Sequence, residues 1–381
     1  MEEDLDNILD DWFIESIKIY KDLHVYQLEN PTQVLEWTSG RNVCVAGYTS
    51  SSKNEILELH LPLKLLADKN KGLCAERDFK VVHGGFADGP VRRLRHIPGT
   101  RCAVTNDGHS SSLQVWDLGG DDSDVIRRTG SVEGGRTGSV RGSRIAARPS
   151  SQPQVLHGAQ SDDVRLTEIT SGRTVYKLEV DSSDALSSLQ FVTDSIVVAG
   201  CCKGSILVAD IRSPAAPQVC CPPASSAESV LWWTDASASS SRLIRLSSCG
   251  QAVVSELRML GGGAVCQAQL DIQMRGSDSE DVVVSWAPAL DDCIAVSGFS
   301  GAVQIYNTSL WKSDLQETTP LFQHRGHMVS SQQPDGVLTT AHAWHPERPR
   351  TLLSAASDGS VHVWDWVNQS AAESGSADPP T

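Results

Sequence analysis

The sequence predicts an all-β fold: a seven-bladed β-propeller with a short N-terminal amphipathic helix in front of it. Three observations carry that prediction. A turn-then-strand pattern recurs seven times along the 381 residues. The copies are spaced by roughly the 40–45 residues of one four-stranded blade, with longer steps accommodated by loops. An early alternating strand is placed where a ring would need fastening.

The first element is an acidic segment, residues 1–22. Leu9, Phe13, Ile17 and Tyr20 recur at helical spacing, Asn7 can cap, and Asp10 and Asp11 favour a helix N-terminus. Glu2, Glu3, Asp4, Asp6, Asp10, Asp11 and Glu15 all precede the first basic residue, Lys18. One reading packs Trp12, Phe13 and Ile17 against the propeller rim. The other has the helix dock on a partner, with Asp11, Trp12, Phe13 and Glu15 as contacts. Ile17 and Ile19 also fit a strand period, so the end of the helix stays open.

The propeller is expected over residues 23–368. Residues 23–28 alternate and stop at Asn30-Pro31, and strands follow near residues 34–37 and 43–46. Residues 23–28 are the strand expected to pair with the last blade and close the ring. Each of the seven repeats ends in a polar or acidic marker: Glu58, Asp117, Glu168, Asp210, Glu256, Asn307 and Asp365. The steps between markers are 59, 51, 42, 46, 51 and 58 residues. Alternation within each copy means that one side chain in two is buried between stacked blades, which a lone hairpin cannot supply.

The last repeat is the most complete. Gly326-His327 precedes Trp364-Asp365 by about a blade, with Ser354 and Asp358 between them. His327, Ser354, Asp358 and Trp364 match the hydrogen-bond network of the WD-repeat class. A buried indole N–H or hydroxyl without a partner costs about 1–3 kcal/mol, so the four read as structural rather than catalytic.

The segments 130–143, 215–241 and 276–281 read as inter-strand loops, the first flexible and locally basic through Arg136 and Arg141. The tail, 369–381, is rich in Ser, Ala and Pro and is expected to be disordered.

Several function classes drop out. A formal charge of −15 disfavours nucleic acid as the main ligand. No apolar run is long enough to span a bilayer, and the start of the chain is acidic where a leader would be basic. An intracellular, soluble and monomeric protein is therefore expected. The ten cysteines show no metal-ligand spacing and read as reduced, mostly buried thiols. His324, His327 and His342 lie close in sequence, but His327 already has a fold position. No nucleophile elbow, phosphate loop or metalloprotease motif is present, so neither catalytic site, cofactor nor metal is expected.

Beyond the repeat, particular stretches carry a narrower resemblance. They include 11–16 (Asp-Trp-Phe-Ile-Glu-Ser), 34–37, 53–57, 61–63, 70–73, 76–81, 83–86, 122–126, 286–288, 297–299, 324–327 and 344–366. On these the chain resembles the WD repeat-containing protein 73 family over nearly its full length. Residues 127–185 and 213–275 depart from the family pattern. The resemblance implies a cytoplasmic, non-catalytic assembly factor that holds the RNA endonuclease heterodimer of the Integrator complex before nuclear import. It also implies an alternative role at microtubules, spindle poles and the cleavage furrow during division.

Overall fold

The computed structural model describes residues 12, 14–47, 54–62, 79–135, 142–150, 152–223, 230–261, 263–272, 282–330 and 336–367. They form seven sheets arranged as blades, antiparallel but for one strand added in parallel to blade 5. Blade 1 holds strands Thr32–Trp37, Asn42–Gly47, Asn54–His60 and Lys80–Ala87. Blade 2 holds Arg93–His96, Cys102–Asn106, Leu113–Asp117 and Arg127–Val132. Blade 3 holds Arg144–Ala147, Gln154–Gly158, Arg165–Glu168 and Thr174–Lys177. Blade 4 holds Leu186–Phe191, Ile196–Cys201, Ile206–Asp210 and Gln218–Cys220. Blade 5 holds Trp232–Ser237, Arg242–Ser247, Gln251–Glu256 and Cys266–Leu270, and blade 6 holds Val283–Trp286, Cys293–Ser297, Val303–Asn307 and Phe322–His324. Blade 7 is built from Thr339–Trp344, Thr351–Ala356 and Ser360–Trp366.

All seven polar markers fall in the third strand of their blades, six of them at or next to its end and Glu58 two residues before it. The turn before that strand explains the small residues ahead of each marker. In blade 7 the turn Ala356-Ser357-Asp358-Gly359 places Gly359 at φ +86°, a conformation that a Cβ disfavours. Glycines at equivalent turns, Gly108, Gly204, Gly250 and Gly298, have the same sign of φ.

Burial falls from the middle of each blade outward. The second strands of blades 3, 6 and 7 are buried throughout, whereas the outer strand of blade 2 is exposed at all but its last residue. The apolar side chains gather in seven clusters, and each lies between two neighbouring blades. The first strands of adjacent blades pack on one another and ring a central channel. A blade alone would expose both faces, so only the closed ring buries all seven clusters.

Closure comes from the strand Tyr20–Gln27, which pairs antiparallel with Ser360–Trp366 as the outer strand of blade 7. Tyr20, counted above on the helix face, is the first residue of this strand, and the described helical residues in front of it, Trp12 and 14–19, stop at Ile19. Its ring is 7% exposed and meets Phe322, His324 and Trp364 edge-on, contacts that a helix ending at Tyr20 would not position.

Two more sequence expectations are corrected. The segment 130–143 is not wholly loop, because Arg127–Val132 is the outer strand of blade 2. The segment 215–241 contains the outer strand of blade 4 and the inner strand of blade 5, Trp232–Ser237. Arg136, Arg141 and residues 276–281 and 369–381 lie outside the described residues.

Two connections between third and fourth strands fold back onto the preceding blade. Residues 124–126 of blade 2 run beside Gly84 of blade 1, with Gly84 N–H donating to Asp124 O at 2.9 Å and Ile126 N–H to Gly84 O at 2.8 Å. Glu317–Thr318 adds a parallel strand to the outer strand of blade 5. Each occupies an edge that would otherwise present unpaired backbone groups.

Candidate functional site

The four residues singled out in the last repeat meet at the junction of blades 6 and 7. His327 lies in the short helix Gly326–Ser330, which follows the outer strand of blade 6, while Ser354 and Trp364 come from the second and third strands of blade 7. Trp364 Nε1–H donates to Ser354 Oγ at 3.1 Å, and Ser354 Oγ bonds His327 Nε2 at 2.8 Å. His327 Nδ1 bonds Ser360 Oγ at 2.7 Å, and Ser360 Oγ donates to Asp358 Oδ1 at 2.6 Å. Asp358 thus joins through Ser360, which the sequence reading did not include.

A second chain of bonds lies against the first. Tyr20 Oη bonds His324 Nδ1 at 2.7 Å, and His324 Nε2 bonds His362 Nδ1 at 3.0 Å. His362 stacks on His327 at 3.9 Å, and His324 stacks on Trp364 at 4.6 Å. Sequence reasoning grouped His324 and His327 with His342, yet His342 lies elsewhere, bonded to Ser285 and Ser297 of blade 6. The missed member, His362, precedes Trp364 by two residues on a strand, and residues two apart share a face. That signal was present in the sequence.

The ring nitrogens of His324, His327 and His362 lie close together. Five of the six already have hydrogen-bond partners, and His362 Nε2 alone has none. Burial holds all three below the ordinary histidine range, His362 at about 4, so they are neutral near pH 7. Neutral and buried, with His324 bonded to His362 and His327 stacked on it, they tie strand Tyr20–Gln27, blade 6 and blade 7 into one joint. No side chain here is poised to react with a solvent-borne substrate.

A second buried polar cluster fastens blade 1 to blade 2. The Glu58 carboxylate, wholly buried, accepts from Arg101 Nη1 at 2.9 Å and Nη2 at 2.5 Å, bonds His83 Nδ1 at 2.7 Å and accepts from Thr38 Oγ1 at 2.5 Å. Burial alone would raise its pKa, but these bonds outweigh it and hold it down to about 2.

Of the four candidate partner contacts, Asp11 and Phe13 lie outside the described residues. Trp12 is half-buried and packs on the apolar cluster between blades 6 and 7. Glu15 is exposed, and so are Ile14 at 54% and Ile17 at 67%. The rim-packing expectation therefore holds for Trp12 and fails for Ile17, whose place against the propeller is taken by Ile19.

Seven blades closed by a lent N-terminal strand, with an Asp–Ser–His–Ser–Trp hydrogen-bond chain at the last one, define a WD-repeat β-propeller scaffold. No protein-family model matches the chain, as its incomplete repeats would suggest. Curated relatives do match. The chain is 47% identical over 371 residues to the Integrator complex assembly factor WDR73 of Danio rerio, covering 94% of this chain and 97% of the relative. It is 42% identical to the protein of the same name from Xenopus laevis, with 93% and 97% covered, and 38% identical to that of Homo sapiens, with 94% and 98% covered. The chain belongs to the WDR73 family of WD-repeat proteins. These relatives are named for Integrator assembly and not for the cytoskeleton, so the microtubule alternative gains no support.

Proposed function

We propose that this protein is a non-catalytic scaffold for assembly of the Integrator complex, and that it holds the complex's RNA endonuclease heterodimer in the cytoplasm before import. The observation that carries the reading is the end-to-end likeness to relatives named as Integrator complex assembly factors. The architecture supports it. The buried polar groups of the closing blade are engaged in holding the ring together, and a rigid ring presents loops of several blades on one face. No described helix is long and apolar enough to cross a membrane.

The contact we assign to the partner is the outward face of residues 14–19. Ile14 and Ile17 stand three residues apart and exposed, while Trp12 and Ile19 anchor the other face to the propeller. Acidic residues dominate the chain before Lys18, which suits an apolar groove bordered by basic residues.

The experiment is affinity purification of the tagged chain from a cytosolic fraction, beside an Ile14→Ser/Ile17→Ser variant. The endonuclease pair should be recovered with the wild type and reduced at least about tenfold with the variant, at unchanged thermal stability. Recovery of no Integrator subunit would overturn the assembly reading. Equal recovery with the variant would keep that reading and overturn the helix contact.

A further inference from the structure

The outer strand of each blade has one edge with no further strand of its own blade beside it. In blades 1 and 5 that edge is taken by the next blade, through the connection between its third and fourth strands: residues 118–126 of blade 2 and 308–321 of blade 6. Blade 3 cannot do the same for blade 2. Its connection is residues 169–173 alone, closed on itself by Gly172 N–H donating to Glu168 O at 2.9 Å. Among the described residues, Arg127–Val132 of blade 2 is therefore left without a strand on its outer side. It is longer than the outer strands of blades 3, 4 and 6, and it is exposed at five of its six residues. The closing strand Tyr20–Gln27 is longer still but is exposed at only three of its eight.

The charge of this edge is opposite to that of the molecule. The chain carries a formal −15, yet the charged residues of the strand are both basic, Arg127 and Arg128. Successive side chains alternate across a strand, so one arginine stands on each face of the blade. Arg127 Nη2 donates to the neutral Ser123 Oγ at 3.2 Å. Asp117 lies opposite Arg127 in the pairing, but its carboxylate accepts from Gly119 N–H at 3.1 Å and forms no ion pair with the arginine. Arg128 lies opposite Trp116, and its side chain has no hydrogen-bond or ion-pair partner among the described residues.

The backbone adds two further features. At the middle of the strand, nothing lies within 4 Å of where a Cβ on Gly130 would stand, so another backbone can approach closely there. The pairing register shifts between Val115 and Trp116, leaving Thr129 as the extra residue, with its Oγ1 donating to Val115 O at 3.3 Å. Bulges and charges at an edge discourage indiscriminate pairing, and a second copy of this strand would bring its own arginines against these. An acidic strand meets no such repulsion. A free carboxylate or phosphate would use the arginines but leave the unpaired N–H and C=O groups of the edge unused.

We propose that Arg127–Val132 is the docking edge for an extended acidic segment of a partner protein, which adds a strand to blade 2 by backbone pairing and sets its carboxylates against Arg127 and Arg128. The contact is separate from the exposed helix face at residues 14–19, and it stands whatever complex the protein assembles. The backbone edge supplies the pairing and the two exposed arginines choose its sign of charge, so the interaction weakens with salt.

The test is fluorescence anisotropy of the full chain with a fluorescein-labelled peptide of alternating Glu and Thr. It is run beside a peptide of alternating Lys and Thr, and beside the Glu peptide N-methylated throughout, which keeps the carboxylates but cannot donate to a strand. The Glu peptide should bind at least about tenfold tighter than either. Bound, it should slow amide exchange within residues 127–132. In an Arg128→Glu variant, substituted at an exposed position, the preference should turn toward the Lys peptide. Equal binding of the Glu and Lys peptides, or of neither, overturns the proposal, and this comparison needs no variant to fold. Undiminished binding of the N-methylated peptide overturns it in favour of charge attraction without strand pairing. A Glu preference that survives in folded Arg128→Glu places the peptide elsewhere and also overturns it, and a dimer in sedimentation that protects the same amides would assign the edge to a second copy instead.

Discussion

Ser354 accepts from Trp364 and bonds His327, so one hydroxyl satisfies two buried groups. Ser354→Ala strands both and is expected to cost about 1–3 kcal/mol, read as a lower unfolding midpoint with partner recovery unchanged once the chain is folded. Full stability with one partner lost would contradict the structural role. The buried histidines add a dependence on pH. His157 and His362 are held at about 4 and His342 at about 3, with His324 and His327 also lowered, in each case chiefly by burial. Unfolded, each titrates near 6.5, so below that pH the unfolded chain binds more protons. Stability is complete above about pH 6.5 and is lost toward the folded values, at up to about 1.4 kcal/mol per pH unit for each group. Asp235 and Asp365, both raised chiefly by burial, oppose this. A thermal midpoint that stays flat from pH 7 to pH 5 would refute the argument. At this scale the sequence was partly legible. His327, Ser354 and Trp364 stand in a known spacing and do bond one another. Asp358 acts through Ser360, and His362 was overlooked although its spacing of two from Trp364 puts both on one face of the strand.

Among the elements, the second and third strands of the blades and the closing strand Tyr20–Gln27 could be read from alternation, but the inner strand Trp232–Ser237 and the outer strands of blades 2 and 4 could not. Arg127–Val132 is exposed at five of its six residues, so no apolar period marks it, and Gln218–Cys220 is only three residues long beside prolines. Outer strands are held by backbone pairing, which leaves little trace in side-chain pattern. The fold-back of residues 124–126 onto blade 1 was likewise silent in the sequence, although it makes a demand on one residue. A Cβ on Gly85 would lie 2.3 Å from the carbonyl oxygen of Ile126, and backbone cannot swing aside as a flexible side chain can. Gly85→Ala should therefore detach this segment, with faster amide exchange at Gly84 and Ile126 and a stability loss of about 1–3 kcal/mol. Unchanged exchange at both amides would show that the fold-back tolerates the substitution.

For the whole molecule, each blade buries its faces only against its two neighbours, so the ring should unfold as a unit rather than fray blade by blade as an open repeat array can. The strand Tyr20–Gln27 fastens that ring. Placing prolines at His24 and Val25, which pair with Val363 and His362, should release it. Exchange protection would then fall first in blades 7 and 1, whereas uniform protection would mean that the ring holds without this strand. The ring architecture was the most legible level of all, because seven recurrences outweigh the weakness of any single repeat. The same strand sets a timetable for synthesis. Tyr20 leaves the ribosome 346 residues before its mate Trp366, and at about 5–20 residues per second the wait is about 20–70 s. Throughout that interval the nascent chain carries an orphan strand and a half-built last blade, and a premature stop anywhere before residue 360 would make the orphan permanent. A truncated product should thus go to chaperones and proteases rather than persist as a smaller propeller.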